Sequence, residues 1–303
     1  MNKFNQIIIP APVNLTDGIR NLLNVYSIKE IITYKDRPKD DKDLRDRAKS
    51  ADCLLVSYDT TLTRDILANC KDLKYIGVCG TNLKNIDLDF ASKHGITVTN
   101  VTDYGDESTA EYIFMLMLEF ARHNAPFELF GKSIGLIGMG AVGTQMLRLA
   151  KGFNMGVYYT ARTRKRNIES EHVKFVDLDF ILENCKFISL HVPKDTMVLG
   201  SREFGLISPS SVLIDSCLGN VLNLEAFKKW ILKGKNHAIF DQSPPFISNL
   251  KSLPNIIIGN QIAGITVDSK AKLSKKVLEN IQKFLQTPPA HHTDRACSIR
   301  SFT

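Results

Sequence analysis

Three glycines stand in the run Gly138-Met139-Gly140-Ala141-Val142-Gly143, directly after an apolar segment that reads as a strand, Ser133 to Ile137, and ahead of a helical stretch from Thr144 to Phe153. In that context the first glycine permits a tight turn and the second lets backbone close on a pyrophosphate. The third lets helix and strand pack, while the helix-start amides meet the anion. The chemistry implied is dinucleotide binding. About 20 residues further on, a unit that binds NAD offers Asp or Glu to the ribose hydroxyls. Here the next strand runs out as Tyr158-Tyr159-Thr160-Ala161-Arg162-Thr163-Arg164-Lys165-Arg166, with no carboxylate. Loss of the acid removes repulsion of a 2'-phosphate, and Arg162, Thr163 and Arg164 supply the donors a phosphate needs. The expectation is NADP(H) in preference to NAD(H); the alternative reading of the basic run is a solvated loop or a nonspecific polyanion patch.

The elements that must hold these residues follow from hydrophobic patterning. Apolar runs typical of buried parallel strands, Gln6–Ile9, Glu30–Tyr34, Cys53–Ser57 and Leu73–Cys79, alternate with helical stretches at Thr16–Leu23, Asp41–Ala48 and Thr63–Asn69. The series closes with a helix at Phe90–His94 and a strand at Ile96–Thr99, so one open α/β domain ends near residue 100. Ser108-Thr109-Ala110-Glu111 then reads as a capping box opening a helix to Arg122 that is apolar all round, hence buried, and expected between two domains. A second βα series begins at Ser133–Ile137 and continues through Gly156–Thr160, Phe187–His191, Val212–Asp215, His237–Phe240 and Asn255–Ile258.

Composition narrows the classes. With 303 residues the chain is long enough for two domains, and 44% hydrophobic with 23% charged residues is ordinary for a folded globular protein. The longest apolar run, Tyr112 to Phe120, falls short of the ~20 residues of a membrane span, and Ile7 to Val13 is broken by Pro10 and Pro12, so neither a membrane span nor a secretory signal is expected. The six cysteines include no Cys-x-x-Cys pair and read as reduced thiols; with no secretory signal, the expected location is the cytoplasm. No metal site is expected: His291 and His292 beside Asp294 and Cys297 lack a fourth ordered ligand. A net charge of +7 fits an anionic small ligand better than nucleic acid.

Taken in order, Asn85-Ile-Asp-Leu88 with Gly95-Ile-Thr-Val-Thr-Asn100, Ser108-Thr-Ala-Glu111, the glycine run, Ser189-Leu-His-Val-Pro193 and Leu213-Ile-Asp215 resemble the D-isomer-specific 2-hydroxyacid dehydrogenases over nearly the whole chain. That family includes glyoxylate, phosphoglycerate and formate dehydrogenases and a transcriptional corepressor. The resemblance implies an α/β fold in which a Rossmann-type cofactor domain (101–267) is inserted into a flavodoxin-like substrate domain (1–100 with 268–286), the returning helix running from Ser269 to Leu285. Residues 287–303, which open on paired prolines and lack a helical or strand period, read as a mobile tail. The resemblance also implies that the cofactor is met by Thr109, the glycine run, Ala161 to Arg164, His191, Val192, Pro193, Thr196, Ser216, Cys217 and Asp241. His191 belongs to the strand-end turn beneath the cofactor, and Asp241 keeps a place near the nicotinamide amide.

Family members reduce a 2-keto acid with an arginine that binds the carboxylate, a histidine acid and a glutamate that tunes it. The matching places here hold Leu218, Gln261 and, across a gap, Pro244 or Ser243. Leucine cannot bind a carboxylate, and glutamine donates a hydrogen bond but no proton near neutral pH. General acid–base catalysis alone is worth about 10² to 10⁴ in rate, so ordinary keto-acid reduction is expected to be nearly abolished. The loop Gly80 to Asn85 carries Asn82 and Lys84 where the family commonly has glycine and aspartate. The stretch from Arg122 to Gly131 is much shorter than the family's dimer arm, leaving a homodimer open but not through that arm.

Two functions survive. One is an NADP(H)-dependent oxidoreductase acting on a carbonyl or imine other than an ordinary 2-keto acid. Its replacement groups would come from Lys84, Tyr104, Asp106, Cys217, Asp241 and Gln261, with Lys84 or Tyr104 as the acid. The other is a dinucleotide-binding pseudoenzyme serving as sensor, regulator or partner subunit.

Overall fold

A computed structural model describes residues 2–123, 126–242 and 253–286. The chain separates into two compact units, one made of Met1–Tyr104 with Ile265–Thr303 and the other of Gly105–Gly264.

The first unit runs β1 (Ile7–Ile9), α1 (Asp17–Leu23), β2 (Ile32–Thr33), α2 (Asp41–Ala48), β3 (Cys53–Ser57), α3 (Arg64–Ala68), β4 (Tyr75–Cys79), α4 (Leu88–Lys93) and β5 (Thr97–Thr99), and takes in the last described helix, α10 (Val267–Gln286). The strands pair in parallel in the order β2-β1-β3-β4-β5, the flavodoxin-like arrangement. Alternating side chains divide the core. Leu54 and Val56 of β3 join Leu44, Ile66 and Ile76 on one face, while Cys53 and Leu55 join Leu23, Leu273, Val277 and Ile281 on the other. Apolar residues three to four apart give α10 its buried stripe, and Ser274 Oγ accepts the Thr16 amide at 2.9 Å. The edge strand β2 is shorter than Glu30–Tyr34; at its carboxyl end its one partner, β1, gives way to Pro10, which has no ladder N–H.

The second unit runs α5 (Asp106–His123), β6 (Ser133–Ile137), α6 (Ala141–Gly152), β7 (Gly156–Thr160), β8 (Val173–Phe175), α7 (Leu178–Asn184), β9 (Phe187–Leu190), α8 (Ser201–Leu206), β10 (Val212–Asp215), α9 (Leu224–Ile231), β11 (His237–Phe240) and β12 (Ile256–Ile258). All seven strands are parallel in the order β12-β11-β10-β9-β6-β7-β8, a doubly wound sheet whose strand order reverses between β6 and β9. That reversal is where an open α/β sheet leaves a crevice for a ligand at the carboxyl ends of its strands. Aspartate and asparagine caps fix several helix starts: Asp177 accepts the Phe180 amide and Asn223 the Ala226 amide.

Three expectations are corrected. Ser108 and Glu111 do not form a capping box, because α5 starts at Asp106. Ser108 lies inside the first turn, where its hydroxyl donates to the Gly105 carbonyl at 3.0 Å. The same helix is not apolar all round in its packing: Ile113, Phe114, Met117 and Phe120 are buried in the second unit, whereas Met115 and Leu118 lie exposed. Helix α6 begins at Ala141 rather than Thr144, with Gly140 as its N-cap. The edge strand β8 was not anticipated; it is three residues long with Lys174 exposed at its centre, too short for a period to show. The expected tail at 287–303 lies outside the described residues.

Candidate dinucleotide and active site

The turn between β6 and α6 places its three glycines under different constraints. Gly138 has φ +100°, and a Cβ there would lie 2.1 Å from the His191 carbonyl oxygen, which belongs to the backbone leaving β9. At Gly143 a Cβ would lie 2.4 Å from the Gly138 carbonyl oxygen. Both positions are closed to any side chain by the protein's own backbone. Gly140 differs: a Cβ there meets nothing within 4 Å, and its φ of −78° suits any residue. Packing therefore explains two of the glycines and leaves the third facing open space at the switch point. Gly140 has no side chain to cap α6 and the first turn of α6 holds no acid, an arrangement compatible with an anion at that helix start. A pyrophosphate fits this turn.

Beyond β7, Ala161 is half-buried while Arg162 and Thr163 are exposed. Arg164 is differently placed from the expectation that it stands ready for a phosphate. Its guanidinium is forked onto Glu169, Nε to Oε1 at 2.7 Å and Nη2 to Oε2 at 2.6 Å. Tyr159 Oη also donates to Glu169 Oε1 at 3.0 Å, and the Arg164 guanidinium beside the carboxylate holds it down to about 2. Among the described residues Arg162 has no ionic partner.

The ends of β9, β10 and β11 gather the other expected residues. The His191 amide donates to Ile137 at 2.7 Å, tying β9 to β6, and its Nε2 lies 2.9 Å from Ser189 Oγ. Burial pushes His191 down to about 4, so it is neutral at physiological pH. Cys217 Sγ donates to the Leu190 carbonyl at 3.2 Å and accepts the Val192 amide at 3.4 Å; burial, then the neighbouring Asp215, push this thiol up, which leaves it protonated. It bridges strand ends as a small hydrogen-bonding group. Pro193 and Thr196 close an exposed turn through the Thr196 amide at 3.1 Å, and Ser216 is half-buried beside Cys217. Asp215 is buried, accepts the Cys217 amide at 2.9 Å, and is pushed up to about 6 by burial, with Asp241 adding to the rise. Asp241, one residue past the end of the adjacent strand β11, is likewise raised to about 6 by burial.

Leu218 and Gln261, the positions that the resemblance sets against the family's arginine and histidine, have hydrogen-bonded backbones. Leu218 is 50% exposed. Its carbonyl accepts the Asp195 amide at 3.3 Å, Asp195 Oδ1 accepts the Asn220 amide at 3.0 Å, and Gly219 turns between them at φ +80°. Gln261 is exposed, and its amide and that of Asn260 both donate to Tyr112 Oη, at 3.2 and 3.0 Å. Tyr112 reaches that segment because Gly259 carries no Cβ, which would sit 2.5 Å from the phenol oxygen. Thr109 turns inward, donating to the Gly105 carbonyl at 2.7 Å. Pro244 and Ser243 lie outside the described residues. Lys84 and Tyr104 belong to the first unit, after β4 and β5: Lys84 is exposed, its amide donating to Asn82 Oδ1 at 2.9 Å, and Tyr104 packs half-buried against the core that includes Val101. Sequence reasoning missed the supporting residues Tyr112, Glu169 and Asp195; each acts on a partner by a fold-dependent contact that no local motif announces.

The model of the family described as D-isomer specific 2-hydroxyacid dehydrogenase, catalytic domain, matches residues 14–293. The chain belongs to this family. It is 28% identical to the glyoxylate reductase of Thermococcus litoralis, with 90% of this chain and 92% of that protein covered. It is 30% identical to the D-3-phosphoglycerate dehydrogenase of Methanocaldococcus jannaschii over 81% of this chain and 52% of that one. Among solved structures, D-2-hydroxyisocaproate dehydrogenase shares the fold at a TM-score of 0.80 and 18% identity, covering 93% of this chain and 96% of that one. An acyclic imino acid reductase in complex with NADPH and D-Arg does so at 0.79 and 24%, covering 94% and 98%. The 2-hydroxyacid dehydrogenases are NAD(P)-binding oxidoreductases. In this member no helix among the described residues is long and apolar enough to cross a membrane.

The acids at the ends of β10 and β11 give the family member a testable pH signature. In the unfolded chain Asp215 and Asp241 ionise near 3.8; folded, each is raised to about 6, so the folded state holds more protons between these values. Their contribution to stability is complete below about pH 4 and is lost as pH rises through about 6. His191, lowered from 6.5 to about 4, works oppositely: its contribution is present above about 6.5 and is lost as pH falls through about 4. Asp215→Asn, which keeps the acceptor for the Cys217 amide, is expected to raise the Tm at pH 7 to 8 by a few °C, on the order of 1 kcal/mol or more. It should also make the Tm climb more steeply between pH 4 and 6.5. Thermal unfolding across pH checks this, and superimposable profiles would count against a raised Asp215 carboxyl.

Proposed function

We propose that this chain is an NADP(H)-preferring oxidoreductase whose substrate is a carbonyl or imine other than an ordinary 2-keto acid. The observation that carries the reading is the turn Gly138 to Gly143, where the protein's own backbone requires Gly138 and Gly143 while Gly140 fronts open space. The dinucleotide, when bound, supplies the hydride. The amides of Ala141, Val142 and Gly143 bind its pyrophosphate. Arg162 and Thr163 meet the 2'-phosphate, and the turns at His191 to Thr196 and Ser216 to Cys217 line the nicotinamide half with Asp241. Leu218 offers an apolar contact where relatives bind a carboxylate, and Gln261 orients a polar group by hydrogen bonding without releasing a proton. Lys84 and Tyr104 remain the candidate proton donors, to be tested by Lys84→Ala and Tyr104→Phe.

The first experiment is calorimetric titration of the full chain with NADPH and with NADH. NADPH should bind at least tenfold more tightly, about 1.4 kcal/mol. Arg162→Ala should weaken NADPH roughly tenfold and leave NADH unchanged. Equal affinity for the two dinucleotides overturns the phosphate reading. A second reading, a dinucleotide-binding regulator without turnover, is favoured by Leu218 and Gln261 holding places where relatives keep a carboxylate clamp and an acid. Single-turnover oxidation of NADPH against a panel of imines and carbonyls separates the two, since a regulator leaves NADPH unconsumed throughout.

A further inference from the structure

The loop that follows β7 contains a carboxylate that sequence spacing hides. Glu169 lies 29 residues past Gly140 in sequence, yet its carboxylate sits under the loop: Tyr159 Oη donates to its Oε1 at 3.0 Å, and the Lys165 amide donates to Tyr159 Oη at 2.9 Å. Tyr159 is buried within β7 itself, so the acid is anchored at the strand whose end carries the ribose-recognition position in a dinucleotide fold. Arg164 covers it with both arms of its fork, and the guanidinium lies 5.5 Å from the centre of the Phe175 ring in β8. The side chain of Glu169 is 19% exposed against 49% for Arg164, which is the order expected of a lid over an acid. A guanidinium with both arms committed to a carboxylate has lost much of its reach for a phosphate.

Resting on the dinucleotide reading given above, we propose that Glu169 is a masked ribose-type carboxylate and that Arg164 selects the 2'-phosphorylated cofactor by covering it. Arg164 is thus a positioning residue, and direct contact with the phosphate falls to Arg162 and Thr163. Uncovered, Glu169 repels a 2'-phosphate and accepts hydrogen bonds from a free ribose hydroxyl, so the loop holds two opposite preferences and one side chain decides between them.

The test is a double-mutant cycle read by calorimetry with NADPH and NADH on the full chain and on Arg164→Ala, Glu169→Gln and Arg164→Ala/Glu169→Gln. Arg164→Ala is expected to weaken NADPH about tenfold while NADH binds at least as tightly as before. Glu169→Gln leaves NADPH as tight or tighter. The double variant recovers NADPH affinity to within about threefold of the parent, because the exposed acid is gone. A double variant as weak for NADPH as Arg164→Ala alone makes Arg164 a direct phosphate ligand and overturns the proposal. Retained NADH binding shows that the loop is folded. Should Arg164→Ala unfold, Arg164→Lys, which keeps the charge and loses the fork, must give the same ordering with smaller amplitude, or the proposal fails. A parent chain that binds neither dinucleotide fails at the earlier step and removes the dinucleotide reading itself.

Discussion

Gly140→Ala is expected to leave the fold intact and to remove dinucleotide binding, whereas Gly138→Ala is expected to lose both. At Gly140 the new methyl group meets no protein atom within 4 Å and the backbone stays at φ −78°. Its structural cost is that of alanine at an N-cap, at most about 1 kcal/mol. The same methyl projects where a pyrophosphate must approach the amides of α6, and affinity for NADPH should fall at least 100-fold, about 2.7 kcal/mol. At Gly138 the methyl is driven to 2.1 Å from the His191 carbonyl oxygen at a φ of +100°, so either β6 and β9 part at their ends or the turn rebuilds. Several kcal/mol of stability go with it, on the order of 3. Thermal unfolding and NADPH titration of both variants check the contrast. If Gly140→Ala binds NADPH like the parent, the open face at that turn belongs to no ligand and the proposed function falls.

The second large effect concerns chemistry. Leu218→Arg combined with Gln261→His is expected to raise kcat/KM for glyoxylate with NADPH by about 10²-fold or more, since a carboxylate clamp and a proton donor return together. Both positions accept the change because their backbones are held independently of their side chains. The Leu218 carbonyl is fixed by the Asp195 amide and the Gln261 amide by Tyr112 Oη. Both side chains project into solvent-accessible space, so a longer or branched ring displaces no core residue. Each single variant should gain far less than the pair, because a bound keto acid without an acid, or an acid without a bound keto acid, completes no reaction. No gain in a double variant that still binds NADPH would overturn the assignment of Leu218 and Gln261 to the carboxylate and acid positions.

What the sequence disclosed tracks what is locally encoded. Strands β3, β6, β10 and β11 appear at the bounds their apolar runs mark, because almost every residue of these interior strands is buried, and β7 does so with only Val157 and Tyr159 buried. The start of α5 was misplaced because Ser-x-x-Glu fits the first turns of a helix as well as its cap. The start of α6 was misplaced because glycine lowers helix propensity even where Gly140 serves as N-cap. The glycine turn was legible because three steric demands fall within six residues. Glu169 was not: its meaning comes from Tyr159 and Arg164 meeting it in the fold, and in the sequence it is one acid in a charged loop. Tyr112 was hidden further, since its partners Asn260 and Gln261 lie 148 and 149 residues away. Asp195, at φ 59°, gives no sign in sequence that it will clamp Asn220.

The interrupted first unit bears on the order in which the chain comes into being. Its sheet exposes Ile7, Ile9, Cys53, Leu55 and Tyr75 on the face that Leu273, Val277 and Ile281 of α10 cover, and α10 is the last described helix to leave the ribosome. Contacts such as Gln282 with Tyr26, 256 residues apart, cannot form while the intervening unit is still being made. The nascent amino-terminal sheet therefore waits, with one apolar face covered only in part by Leu23 of α1 and its neighbours, for about 160 residues of synthesis, roughly 8 to 30 seconds at the usual elongation rates. Premature termination after Gly264 leaves that face permanently open, so truncated chains should be chaperone clients and aggregate, while the inserted unit, contiguous from Gly105 to Gly264, folds ahead of the segment that began first.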